Sequence, residues 1–169
     1  MKKRGFTLIE ILIVIGVVLI IMVSISGIMS GVFTSQNKNK SSDLITQNGS
    51  WILNELKKNI LSADSSSQKF SCTSNSISIT SLKDGDTTTL ICDIENNNIS
   101  SQSATTGRTV DFINNEELRL TGCTGFVNCE TMPNGQLSKV TFKFNLGAGV
   151  IGLTSETNKD FSIDVALRN

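Results

Sequence analysis

Residues 4–10 read Arg-Gly-Phe-Thr-Leu-Ile-Glu (RGFTLIE), and they open an apolar run, 6–29, whose reading decides the fold. As a helix rising about 1.5 Å per residue, the run covers roughly 36 Å, enough to cross a lipid hydrocarbon core. Glu10 sits inside it, where a carboxylate costs on the order of 2.5–3.5 kcal/mol. No other charge lies between Glu10 and Lys38. A neutralising partner must therefore be the Lys2-Lys3-Arg4 cluster, a new amino terminus or another molecule. The bland alternative is a glutamate near the interface that reaches headgroups.

Two ordinary N-termini share this hydropathy. A secretory signal peptide has a basic region, an apolar region and a small-x-small cleavage site, which Ser24-Ile25-Ser26 before Gly27 supplies. An uncleaved signal anchor needs only the apolar run. Both leave Lys2, Lys3 and Arg4 in the cytoplasm and the rest of the chain outside. Neither explains Glu10.

Lys2-Lys3-Arg4-Gly5 followed by Phe6-Thr7-Leu8-Ile9-Glu10 and an unbroken apolar stretch resembles the N-terminal signature of type IV pilins and type II secretion pseudopilins. The resemblance covers the N-terminal segment alone. It implies that a membrane-embedded prepilin peptidase cleaves between Gly5 and Phe6 and N-methylates Phe6. It further implies that Glu10, the fifth residue of the product, meets the terminal amine of a neighbouring subunit inside a filament. Two buried opposite charges are tolerable where one alone is not. Major pilins often carry a helix-kinking proline about where this chain has Gly27. Gly27 and Gly31 loosen a helix without removing a backbone donor, so they are candidates for flexibility; as Gly-x-x-x-Gly they also match a weak helix-pairing pattern.

The domain expectation follows: 1–5 leader peptide, 6–33 transmembrane and filament-core helix, 34–64 amphipathic helix, 65–169 exported β-rich region packed on that helix. Lys and Arg total 15, as do Asp and Glu, and loss of Lys2, Lys3 and Arg4 leaves 12 against 15. Such a balance is unlike a strongly electrostatic nucleic-acid binder. The chain has no histidine and no tyrosine, which excludes histidine triads, imidazole acid–base chemistry and most zinc sites. No Gly-x-Ser-x-Gly elbow and no Gly-rich phosphate loop occurs. No enzyme activity and no cofactor are expected.

Cys72, Cys92, Cys123 and Cys129 all fall on the exported side, where an even count reads as two disulfides. Three connectivities are possible; pairing of near neighbours gives Cys72 with Cys92 and Cys123 with Cys129. A loop closed by the second bond would present Gly125-Phe126-Val127 as an apolar contact, unless Phe126 fills the core.

Beyond Phe33, Ile45, Ile52, Leu56, Ile60 and Ala63 recur at helical spacing, weakened by Gly49, with Trp51 and Ile52 as anchors against a sheet. Residues 62–67 read as the helix-to-sheet connection. The period then becomes two. Residues 76–82 and 87–91 form a β-hairpin about the turn 83–86, and Asn96-Asn97-Asn98 makes a second turn before 99–102. Short elements are expected at 109–113 and 117–120, strong strands at 140–146 and 161–167, and loops at 147–149 and 154–159. The fold class is α+β: a long N-terminal helix on a mainly antiparallel sheet. Asp84 and Asp86 flank Gly85 as in a calcium loop, but a hairpin turn explains them without metal. Asn48-Gly49-Ser50 and Asn98-Ile99-Ser100 match the glycosylation sequon, a short pattern common in a chain this rich in Asn and Ser.

The functional expectation is a structural subunit of a type IV pilus-like or type II secretion pseudopilus filament. Its partners would be the prepilin peptidase, copies of itself or related pilin subunits, and cytoplasmic-membrane lipid before assembly. It would be single-pass with the C-terminal region outside, then part of a cell-surface filament. The alternative is a membrane-anchored or filament-tip binding module, an adhesin or DNA-capture subunit, with an extracellular ligand held by loops 123–129 and 147–159.

Overall fold

The structure, a computed structural model, describes residues 7–62, 70–81, 83, 85–113, 117–148 and 157–167. It divides into two compact units, Met1–Lys40 and Ser41–Asn169. One helix, α1 (Leu8–Leu61), contributes to both.

In the second unit α1 buries Ser41, Ile45, Gly49, Ile52, Leu56 and Ile60. Steps of three and four residues keep these on one stripe of the helix, which is why the polar residues between them stay in water. Ala63 lies outside the described residues. Gly49 has a packing role. A Cβ there would lie 2.6 Å from Phe161 Cε2 and nearer still to Cζ and Cε1. The glycine that weakens the helix in sequence is what lets a ring from the sheet rest against the helix backbone. Trp51 departs from the expected core anchor: it is 45% exposed and meets Phe112 edge-on at 5.8 Å, while its neighbour Ile52 is fully buried.

Among the described residues, nine strands follow in two antiparallel sheets. The first is a meander of β1 (Phe70–Cys72), β2 (Ser76–Thr80), β3 (Thr87–Asp93), β4 (Asn98–Ser103) and β5 (Thr109–Asp111). Its central hairpin places Ser76 opposite Ile91 and Thr80 opposite Thr87, as the alternation in sequence requires. Alternate residues Ile77, Ile79, Leu90, Cys92 and Ile99 are buried, and Ser/Thr residues take the other face. The second sheet is built on β8 (Leu137–Ala148), flanked on one side by β9 (Thr157–Ala166) and on the other by β6 (Leu118–Gly122) and β7 (Val127–Thr131). Phe142, Phe144 and Leu146 of β8 are at most 1% exposed, and Phe144 stacks on Phe161 at 5.4 Å. Helix stripe and both sheets close one hydrophobic core.

Three expectations need correction. Gly147 and Ala148 are strand rather than loop: they close β8, Gly147 opposite Asn158 and Ala148 opposite Thr157, and a Cβ on Gly147 would press on Thr121 Cγ2 at 3.0 Å as well as on the Asn158 side chain. A glycine required by close strand approach was read as a turn residue. Residues 157–159 likewise open β9 rather than ending a loop. Finally, β7 occupies residues assigned to a disulfide loop.

The sheets are also joined by the turn between β3 and β4. Asn97 there has φ 55°, a left-handed conformation that asparagine tolerates. Its Nδ2 donates to the Leu118 carbonyl at 3.1 Å and its Oδ1 accepts from Leu120 N at 2.5 Å, so one side chain substitutes for a strand neighbour of β6.

Candidate functional site: the N-terminal helix and the disulfide frame

Every described residue from 7 to 40 is exposed. Leu8 is 82% exposed, and the helix is long and apolar enough to cross a membrane with none of its most apolar window buried. Such a surface demands an apolar environment from outside the chain. Three of its hydroxyls bond back to the helix's own carbonyls. Ser24 Oγ donates to the Ile20 carbonyl at 2.9 Å, Ser26 Oγ to Met22 at 2.9 Å and Thr34 Oγ1 to Ser30 at 3.0 Å. Back-bonding of this kind removes the penalty for a bare hydroxyl in lipid.

Gly5 and Phe6 lie outside the described residues. Thr7 stands at the helix start, its carbonyl accepting from Glu10 N at 3.1 Å and Ile11 N at 3.4 Å. Glu10 thus occupies the first helical turn. Thr7-x-x-Glu10 is the spacing of a capping box, and a carboxylate favours the positive end of the helix dipole. This spacing was not singled out in sequence. The helix continues through Gly27 and Gly31, and a Cβ at Gly16, Gly27 or Gly31 would meet nothing within 4 Å. Among the described residues, no contact outside the helix requires these glycines.

The disulfides are Cys72–Cys129 and Cys92–Cys123, which corrects the near-neighbour pairing. Cys72 pairs in register with Ile77, and Ile77 with Leu90, so β2 lies between Cys72 and the strand that carries Cys92. Two inter-strand spacings, about 9.6 Å, exceed the roughly 7 Å that a disulfide can bridge. Cys129 in turn sits in β7 opposite Val140. Both bonds instead tie the first sheet to the segment 123–129, one nested inside the other. The consequence for a binding loop is direct: Phe126 is fully buried and Val127 is 5% exposed, so the apolar contact expected there belongs to the core.

Asp86 has a structural use. Its carboxylate accepts from Ser103 Oγ at 2.5 Å, Thr105 Oγ1 at 2.6 Å and Thr105 N at 3.0 Å. These bonds, Ser103 first, hold the carboxyl below the usual range and tie the β2–β3 turn to the β4–β5 turn. Asp84 lies outside the described residues. On the second sheet Lys139 Nζ stands 3.1 Å from Asp164 and 3.4 Å from Glu130. Thr141 Oγ1 donates to Asp164 at 2.8 Å. The Thr141 bond, then Lys139, lowers the Asp164 carboxyl; the Asp164 bond and charge raise Lys139.

Compared with known proteins, residues 1–31 match the family described as the prokaryotic N-terminal methylation motif. No curated protein and no solved structure matches the chain. The match covers the N-terminal segment alone. An exposed apolar helix at the N-terminus and a disulfide-tied α+β region agree with it. What the comparisons show for this chain is therefore a prokaryotic N-terminal methylation motif over residues 1–31.

Proposed function

We propose that the chain is a subunit of a type IV pilus-like or type II secretion pseudopilus filament. It is held in the cytoplasmic membrane as a single-pass protein with residues 41–169 outside, cleaved between Gly5 and Phe6, methylated on Phe6, and moved into a cell-surface filament. The observation that carries this reading is the exposed apolar N-terminal part of α1, which overlaps the methylation motif. Lipid solvates that surface before assembly and neighbouring subunits cover it afterwards. Glu10 then pairs with the Phe6 ammonium of an adjacent subunit, and Gly27 and Gly31 ease bending of the helix during the transfer. The rival reading, a tip binding module working through the loops 123–129 and 147–159, loses the apolar contact expected of the first because Phe126 is buried.

The Glu10→Gln variant tests this. Glutamine also serves in a capping box, so the helix start is kept while the charge is removed. Breaking one member of a buried ion pair costs roughly 3–5 kcal/mol, which lowers incorporation by orders of magnitude. The expected result is normal cleavage after Gly5, a persistent membrane pool and little mature protein in sheared filaments. Incorporation equal to wild type refutes the pairing, and failed cleavage assigns Glu10 to peptidase recognition.

A further inference from the structure

One edge of β9 is open. Leu167 N donates to the Ser138 carbonyl at 2.9 Å, one step beyond the register pair Ala166–Lys139, so the odd-numbered residues of β9 turn their N–H and C=O groups toward β8. Lys143 of β8 fixes the same phase, because its N–H donates away from β9, to the Phe126 carbonyl at 2.9 Å. The main-chain groups of Asn158, Asp160, Ser162, Asp164 and Ala166 therefore point out of the sheet, along about 27 Å of strand. Among the described residues β9 has no strand neighbour but β8, and none of these main-chain groups has a bond on the outer side.

A row of alternating donors and acceptors at this spacing is complemented by another extended backbone. From it we infer that β9 accepts, as an added antiparallel strand, an extended peptide segment of another protein that carries two cationic side chains four residues apart with apolar residues between them. The main chain supplies the bonds, and the side chains along β9 set which segment fits.

The even-numbered side chains are exposed and call for the cations. Asp160 accepts from Asn145 Nδ2 and pairs with no cation among the described residues. Asp164 holds Lys139 at 3.1 Å and Thr141 at 2.8 Å, and a carboxylate with about four lone-pair sites has capacity left. A lysine or arginine opposite each adds a cross-strand ion pair, and the same carboxylates keep the open edge from taking up strands at random. On the other face Phe161 and Val165 are buried and Ile163 is half-buried against the core, so apolar residues opposite Phe161 and Ile163 extend that core. Lys159 ends the apolar strip: its Nζ donates to Thr46 Oγ1 at 3.2 Å and lies 5.9 Å from the Phe161 ring centre. The fitting segment thus reads cation, apolar, polar, apolar, cation. The inference goes beyond the filament reading and does not depend on it.

The test titrates the full-length chain, in non-ionic detergent, into a fluorescently labelled peptide Thr-Lys-Val-Thr-Val-Lys-Thr and follows anisotropy, which should rise and saturate. Replacing both lysines of the peptide by glutamate should weaken binding at least about fivefold. N-methylation of the central threonine, whose N–H would face β9, should abolish binding, whereas N-methylation of a valine, whose N–H would face away, should leave it unchanged. The Asp160→Lys variant should bind the first peptide at least about fivefold more weakly and recover with Thr-Lys-Val-Thr-Val-Glu-Thr, which in the antiparallel register sets its glutamate opposite position 160. No saturable binding, equal loss from the two N-methylated peptides, or affinity indifferent to the charge reversals overturns the inference. Self-association of the chain that excludes the peptide, seen as a rising sedimentation coefficient with falling peptide binding, would assign the edge to a second copy and overturn it as well.

Discussion

Replacing Gly49 by alanine sets two effects of opposite sign against each other. In an isolated helix the change stabilises by about 1 kcal/mol, because glycine is the poorer helix former. Here the added methyl would overlap three atoms of the Phe161 ring. The ring has nowhere to retreat: it is 7% exposed and stacked on Phe144 with planes 16° apart. Overpacking of this kind costs about 1–3 kcal/mol, and the upper end applies to a methyl placed against a ring wedged on its far side. The net expectation is destabilisation by about 2 kcal/mol, or a fall of about 8 °C in the unfolding temperature of a unit this size. Thermal unfolding of the full-length chain in detergent, followed by the loss of β-sheet circular dichroism, reads it. Phe161→Leu should be costly alone and nearly free in the Gly49→Ala background, since the two residues couple directly. A raised unfolding temperature for Gly49→Ala, or strict additivity of the two changes, would refute the close helix–sheet approach.

Two other consequences concern the sheets. Peptide mapping without reductant should recover Cys72 with Cys129 and Cys92 with Cys123; removing the latter bond, with its sequence separation of 31, should cost about 3.7 kcal/mol in the chain-entropy model. Recovery of a Cys123–Cys129 peptide would contradict the fold. The Asp164 carboxyl is lowered, so its contribution is present above the ordinary carboxylate range and is lost as pH falls through the lowered value. Lys139 is raised, so its contribution is present below the ordinary lysine range and is lost as pH rises through the raised value. Stability measured against pH should therefore slope less steeply at both ends in Asp164→Asn than in wild type; superimposable profiles would show that the pair does not contribute.

The N-terminal helix and the central hairpin were legible in sequence because each repeats one period without conflict. The apolar run 6–29 has no interruption but Glu10, and 76–91 alternates about a turn rich in Gly and Asp. What failed had non-local causes. Gly49 and Gly147 carry a glycine's local signal for weak helix or turn, yet each is fixed by an aromatic or polar side chain far away in sequence. Trp51 has the size of a core residue but sits on the flank of the buried stripe, 45% exposed and edge-on to Phe112. Pairing of the cysteines by proximity in sequence neglected that β2 must lie between β1 and β3, and the same mistake hid β7. Asn97 was read correctly as a turn residue, but nothing in a run of three asparagines tells which one reaches β6. At the candidate site, the motif around Glu10 was visible from charge and spacing, whereas its coincidence with a helix cap emerged only from where the helix starts.

The central claim is that this apolar helix belongs to a processed filament subunit, and the mass of the mature N-terminal peptide tests it most directly. Protein recovered from membranes of cells that contain the peptidase should begin at Phe6 and carry one additional methyl group on its amino nitrogen. A peptide beginning at Gly27 would establish conventional signal cleavage, and an intact Met1 would establish a simple anchor; either result contradicts the account.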